Sequence, residues 1–182
     1  FFTATTLLQG EELWQSDGTE EKTTMVKDIR RGSSGSSPGL LTPIGNQLYF
    51  RANDGITGYE LWKSDGTESG TLLIRDIRTG VPSSGISEIK GFGDLAIFTA
   101  NDGTSGTELW KSDGTSSGTI MVASIAADED NAFPANIITT DREIYFTASD
   151  GNGRELWISD GTSDATFMVL DINPGGASSA PS

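Results

Sequence analysis

One octapeptide, returning at a nearly fixed interval, limits what this chain can fold into more than any other feature. Glu60-Leu61-Trp62-Lys63-Ser64-Asp65-Gly66-Thr67 has counterparts at Glu12 to Thr19, Glu108 to Thr115 and Glu155 to Thr162, so that Trp14, Trp62, Trp110 and Trp157 lie 48, 48 and 47 residues apart. Only the residue after Trp changes: Gln15, Lys63, Lys111 and Ile158. A period of roughly 20 to 50 residues marks an array of one supersecondary unit, each copy burying its face against its neighbours. Fold and function are therefore read per repeat, over about 1–34, 35–82, 83–130 and 131–182 of a single repeat domain.

Each repeat reads as four short strands. The first, strand a, is weak (Leu40 to Ile44, Ile86 to Phe92, Ala135 to Thr139), and strand b is an apolar run with Phe at positions 2, 50, 98 and 146. Strand c begins at the Glu-Leu-Trp motif, where period two puts Glu60, Trp62 and Ser64 on one face and Leu61 and Lys63 on the other. Strand d follows the Ser-Asp-Gly-Thr turn, at Thr24 to Ile29, Thr71 to Ile77, Thr119 to Ile125 and Thr166 to Ile172. A long polar crossing then leads to the next repeat. Two tight hairpins and one longer link per antiparallel unit predict an all-β fold, a β-propeller of four-stranded blades, with an open β-solenoid array as the alternative. The chain opens on Phe1 inside a repeat, and a four-blade ring lacking its innermost strand would leave an unpaired edge, so the reading is of a segment of a longer array.

The Glu-Leu-Trp and Ser-Asp-Gly-Thr residues resemble the bacterial E-L-W-x-x-D-G-T repeat family over essentially the whole chain. The resemblance implies a β-repeat protein, a propeller, located outside the cytoplasm as a secreted or surface component. It brings no catalytic residues with it.

The 12 basic and 26 acidic residues give a formal net charge of −14. That charge repels nucleic-acid phosphates and anionic lipid, and the acids are spread over every repeat as on a solvated face. With no cysteine there is neither a disulfide framework nor a thiolate metal site. No apolar run reaches the roughly 18 residues of a membrane span, so membrane insertion is not expected.

The candidate sites recur with the repeat. Trp14, Trp62, Trp110 and Trp157 could stack ligands, but on a strand between neighbouring sheets they read as packing residues. Asp17, Asp65, Asp113 and Asp160 sit in turns whose Asp, Ser and Gly content explains itself through side-chain capping and positive φ. The b-to-c loop carries the functional expectation: Asn53, Asp54 and Glu60, then Asn101, Asp102 and Glu108, then Asp150 and Glu155 in a shorter copy. These oxygen donors suit either an Asx-turn hairpin or a calcium ion at Asp54, Asp102 and Asp150, although calcium takes six to eight oxygens and the spacing is not that of an EF-hand. Glu12, Glu60, Glu108 and Glu155 need partners if buried. Hairpin N–H groups, or Arg51, Arg142 or Lys63, are the alternatives.

No His and no Cys are present, and equivalent copies of Ser, Asp and Lys offer no way to set one carboxyl apart from another. The expectation is a non-catalytic extracellular adhesion or binding module that holds a repetitive polymer such as polysaccharide through weak equivalent sites. Linked sites raise apparent affinity by roughly 10²- to 10⁴-fold. A self-assembling filament or layer component, joined through strand edges, is the alternative, and a hydrolase the distant one.

Overall fold

The computed structural model describes residues 1–126, 131–151, 153–179 and 181, and among them the chain is all-β, with no helix. The third crossing and the shortened fourth loop, both singled out in the sequence, therefore lie partly outside the described residues, at 127–130 and 152. The contacts divide the chain into two compact units, Phe1–Ile86 and Ser87–Ser182. Each holds two antiparallel sheets.

In the first unit, β1 (Phe2–Thr6), β2 (Gly10–Gln15) and β3 (Thr24–Lys27) make a three-stranded sheet in chain order. The strands β4 (Gly39–Ile44), β5 (Gln47–Asn53), β6 (Tyr59–Ser64) and β7 (Leu72–Arg75) make a four-stranded one. The second unit repeats the meander twice. One sheet comprises β8 (Ile89–Phe92), β9 (Leu95–Asn101), β10 (Thr107–Ser112) and β11 (Ile120–Ala123); the other comprises β12 (Ala135–Thr139), β13 (Ile144–Ser149), β14 (Arg154–Ser159) and β15 (Phe167–Leu170).

The Leu-Trp pair explains how sheets stack within a unit. Adjacent strand residues face opposite sides, so Leu13 of β2 points into the same core that receives Trp62 of β6, together with Val26, Leu48, Phe50 and Ala52. In the second unit Leu109 and Val122 meet Ile144, Phe146 and Trp157. Phe50 and Trp62 are register partners, as are Phe146 and Trp157, whose rings stack at 6.4 Å between centroids. Burying each of these large side chains contributes about 1.5–3 kcal/mol. Polar ties join the same sheets: Lys27 Nζ donates to the Thr71 carbonyl at 2.7 Å and Lys111 Nζ to the Gly161 carbonyl at 2.7 Å.

The pairing of strands c and d carries a bulge at Leu-Trp in every sheet. Leu61 faces Arg75 while Trp62 faces Leu73, which leaves Ile74 as the extra residue; Val26 and Val122 are its counterparts. These three are buried, whereas the fourth counterpart, Val169, is exposed. A bulge bends and twists the strand, and here it turns an apolar side chain inward that strict alternation would have placed elsewhere. The d strands also end earlier than the sequence predicts, because the N–H of Ile77 leaves the ladder for the carboxylate of Glu60.

Candidate functional site

The b-to-c loop and the d-to-a crossing meet at one end of the sheets. In the first unit Ser36 N–H donates to the Glu11 carbonyl at 3.0 Å, and the Ser36 carbonyl accepts from Asn53 N–H at 3.0 Å. The crossing thereby joins β2 of one sheet to β5 of the next. Ala132 repeats the arrangement in the second unit, where its carbonyl accepts from Ser149 N–H at 2.9 Å. Such close approach dictates a glycine before strand c: Gly58 has φ +72°, and a Cβ there would lie 2.6 Å from the Val81 carbonyl oxygen.

The repeated glutamates lock this junction. Glu12, Glu60 and Glu108 are fully buried and Glu155 nearly so. Glu12 accepts the N–H groups of Arg30 and Ser36, both at 3.0 Å, and the Ser36 hydroxyl. Glu60 accepts Ile77 N–H at 3.2 Å and Ser84 N–H at 3.0 Å, and Glu108 accepts Ile125 N–H at 3.1 Å and Ala126 N–H at 3.2 Å. Glu155 holds Ser179 by its N–H at 2.9 Å and by its hydroxyl. Of the partners open in the sequence, the structure chooses backbone N–H groups, but they come from the crossing 17 to 24 residues downstream and not from the adjacent hairpin. Arg51 instead donates to the Ile86 carbonyl at 3.0 Å and lies over the Tyr59 ring.

Their ionisation follows from burial. Desolvation pushes the Glu60 carboxyl up to about 7, against the Ser84 hydroxyl and crossing N–H groups that favour the anion, with Asp76 adding repulsion. Glu108 is likewise pushed up to about 7 by burial; its crossing has Ala132 where the others have serine. Glu12 is raised for the same reason. Glu155 is lowered, chiefly by the Ser179 hydroxyl.

The loop acids are committed to their own backbone. Asn53 Oδ1 accepts Gly55 N–H at 2.6 Å, and Asp54 Oδ1 accepts Ile56 and Thr57 N–H, both at 2.8 Å. Asn101 and Asp102 repeat the pattern with Gly103, Thr104 and Ser105. Burial works against ionised Asp102, yet the N–H groups of Ser105 and Thr104 prevail and hold its carboxyl below the usual range. Asp150 is half-buried in the shortened loop, where Ser149 Oγ accepts Gly151 N–H at 3.4 Å. Among the described residues no three Asp, Glu, His or Cys side chains converge as a metal site would require. Glu60 lies with the crossing and shares no ligand set with Asp54.

At the other end of the strands each Ser-Asp-Gly-Thr turn is a closed network. Asp65 Oδ1 accepts the Thr67 N–H at 2.8 Å and its hydroxyl at 2.7 Å, which holds the carboxyl below its usual range; Thr67 is the chief cause, as Thr162 is for Asp160. Thr115 N–H donates to Asp113 at 2.8 Å, and at Asp17 the Lys22 ammonium, 2.9 Å away, lowers the carboxyl most. The sequence reading missed the partner seven residues on: Ser64 Oγ lies 2.8 Å from Thr71 Oγ1, both buried, with equivalents at Ser112 and Thr119 and at Ser159 and Thr166. The serine and threonine spacing was the available signal.

Trp14 pairs with Phe2 and is half-buried, while Trp62, Trp110 and Trp157 are buried. None of the four is an open platform. Trp62 does form part of the wall of an open cleft of about 560 Å³ in the first unit, where the crossing after β3 meets the Asp54-Gly55-Ile56 loop. That volume is in the range of small-ligand sites, about 300–1,000 Å³.

No family model matches the sequence, and no curated protein matches it. Among solved structures it is similar to a puromycin hydrolase mutant complexed with PGG, at 15% identity and a TM-score of 0.52 over 83% of this chain and 24% of that one. It is also similar to a structure from a study of two prolyl endopeptidases, at 12% identity and a TM-score of 0.55 over 90% of this chain and 24% of that one. The chain thus spans about a quarter of the length of either, and at such identities the likeness is one of fold, an all-β arrangement of successive sheets.

Proposed function

We propose that the chain is part of an extracellular β-propeller of the E-L-W-x-x-D-G-T kind, each sheet a blade, serving as a non-catalytic module that binds polysaccharide at the loop end of the sheets. The carrying observation is the division of labour at that end. The recurring glutamates are consumed in holding the crossings, and the loop aspartates in shaping their turns, while the cleft beside Trp62 remains open. Shallow sites of this kind gain strength by multiplicity. Four like sheets in chain order, and the likeness to solved all-β structures, support the propeller part of the reading. Calcium enters it only as a bridge at Asp54, Asp102 or Asp150.

A second reading, a self-assembling filament or layer, is favoured by the outer strands β7 and β11, which pair within their sheets on one side only, with β6 and β10, and carry the exposed Leu72 and Ile120. An unpaired edge is a template for another strand.

The deciding experiment is binding of the chain to immobilised polysaccharides with calcium and with chelator, with sedimentation in the same buffers. Retention as a monodisperse particle supports the binding module. Concentration-dependent assembly without retention replaces it with the structural reading, and turnover of any glycan ends the non-catalytic one.

A further inference from the structure

The first junction breaks a pattern that the other repeats keep. Positions 30 and 31 are Arg-Arg, whereas their counterparts are Arg78-Thr79, Ala126-Ala127 and Asn173-Pro174. Both arginines line the cleft beside Trp62. The stem of Arg30 lies directly over Gly55, where a Cβ would come within 3.0 Å of Nε, so the loop glycine seats the arginine. Among the described residues neither Arg30 nor Arg31 forms an ion pair. Two unpaired guanidiniums side by side are notable in a chain of net charge −14.

The rest of the wall is amphipathic. Ile56 is 72% exposed at the mouth. Trp62 is buried behind the wall, its enclosed indole N–H without an acceptor as at Trp14 and Trp157. Ser34 adds a hydroxyl, and Asp54, its Oδ1 spent on the loop, has Oδ2 for a ligand hydroxyl.

We propose that this cleft binds a hexuronate residue within an otherwise largely neutral polysaccharide; the proposal rests on the polysaccharide reading above and names its substrate class. The planar forks of Arg30 and Arg31 match a carboxylate in bidentate geometry. Ile56 offers apolar surface to the C–H face of the ring, and Ser34 and Asp54 take its hydroxyls. A densely charged polyanion is disfavoured, because the pair attracts only within about a Debye length, ~8 Å at physiological salt, while the net charge repels the remainder of such a chain.

The test uses the whole chain, a glucose oligosaccharide carrying one internal glucuronate, and the same oligosaccharide after carboxyl reduction, which turns the glucuronate into glucose. Titration calorimetry is expected to give at least ~10-fold tighter binding of the acidic form, a preference abolished in Arg30→Gln/Arg31→Gln. Should the double variant fail to fold, Arg31→Gln alone decides, since that side chain is exposed: retained affinity for the acidic form overturns the proposal and a several-fold loss supports it. Equal binding of both forms overturns the uronate site but leaves the polysaccharide reading standing, whereas binding of neither overturns both. Equal affinity for an aspartate-containing peptide of the same charge overturns the sugar class.

Discussion

Replacing Glu60 with alanine tests the idea that the repeated glutamate is a lock on the crossing. The substitution strips the acceptor from the buried N–H of Ile77, an orphaned donor that costs about 1–3 kcal/mol, while Ser84 N–H keeps the Tyr59 carbonyl at 3.2 Å. The loss is then about 1–3 kcal/mol when Glu60 is protonated. Its carboxyl titrates at about 7 in the fold against 4.5 in the unfolded chain. The folded state therefore holds the proton more tightly, and this contribution is complete below pH 4.5 and disappears as pH rises through 7. The full shift corresponds to at most ~3.4 kcal/mol; discounted for solvent screening at the end of the sheets, ~1–2 kcal/mol is the working figure. Urea unfolding of wild type and Glu60→Ala at pH 5.5 and 8 should thus show a penalty ~1–2 kcal/mol larger at the lower pH, the reverse of an ordinary salt-bridged carboxylate. A penalty that grows with pH would mean that the N–H bonds outweigh desolvation. One below 1 kcal/mol at both pH values would refute the lock itself.

Three further outcomes are expected. Gly66→Ala and Gly18→Ala both force alanine to φ near +90°, at about 1–3 kcal/mol each, but at Gly66 the new Cβ also meets Gln15 Oε1 at 2.8 Å; urea midpoints should fall further for Gly66→Ala, and equal shifts would discount the tie between β2 and the Asp65 turn. Thr71→Val keeps the shape of the side chain and removes its buried bond to Ser64, so a loss of about 1–2 kcal/mol in the same assay is expected; neutrality would show the network to be incidental. Because Asp54 Oδ1 and Asp102 Oδ1 are already filled by loop N–H groups, melting followed by circular dichroism should not change between millimolar calcium and chelator. A calcium-dependent rise of several degrees would return these loops to metal binding.

Much of the candidate site was visible in the chain as residues but not as a site. Asn53-Asp54-Gly55 announced a turn because Asx side chains reach their own backbone two residues on, a local event that needs no tertiary knowledge. The glutamates were visible as carboxylates in want of partners. The partners, Ser36, Ser84 and Ser179, lie 24 residues away in a polar stretch with no periodic signal. Arg30 and Arg31 likewise read as two charges in a crossing until the fold set them against a loop some 24 residues later.

The repeat, the strands and the turns follow from the order of residues: a 48-residue period with alternating apolar positions admits few solutions, and Ser-Asp-Gly-Thr closes its hairpin through bonds within eight residues. The bulge that turns Ile74 inward, the elevated carboxyl of Glu60 and the meeting of Arg30 with Gly55 arise from the packing of distant segments. Hydrogen bonds to near neighbours are written in the local order of residues, but burial and the fields it creates depend on which distant segments the packing of sheets brings together.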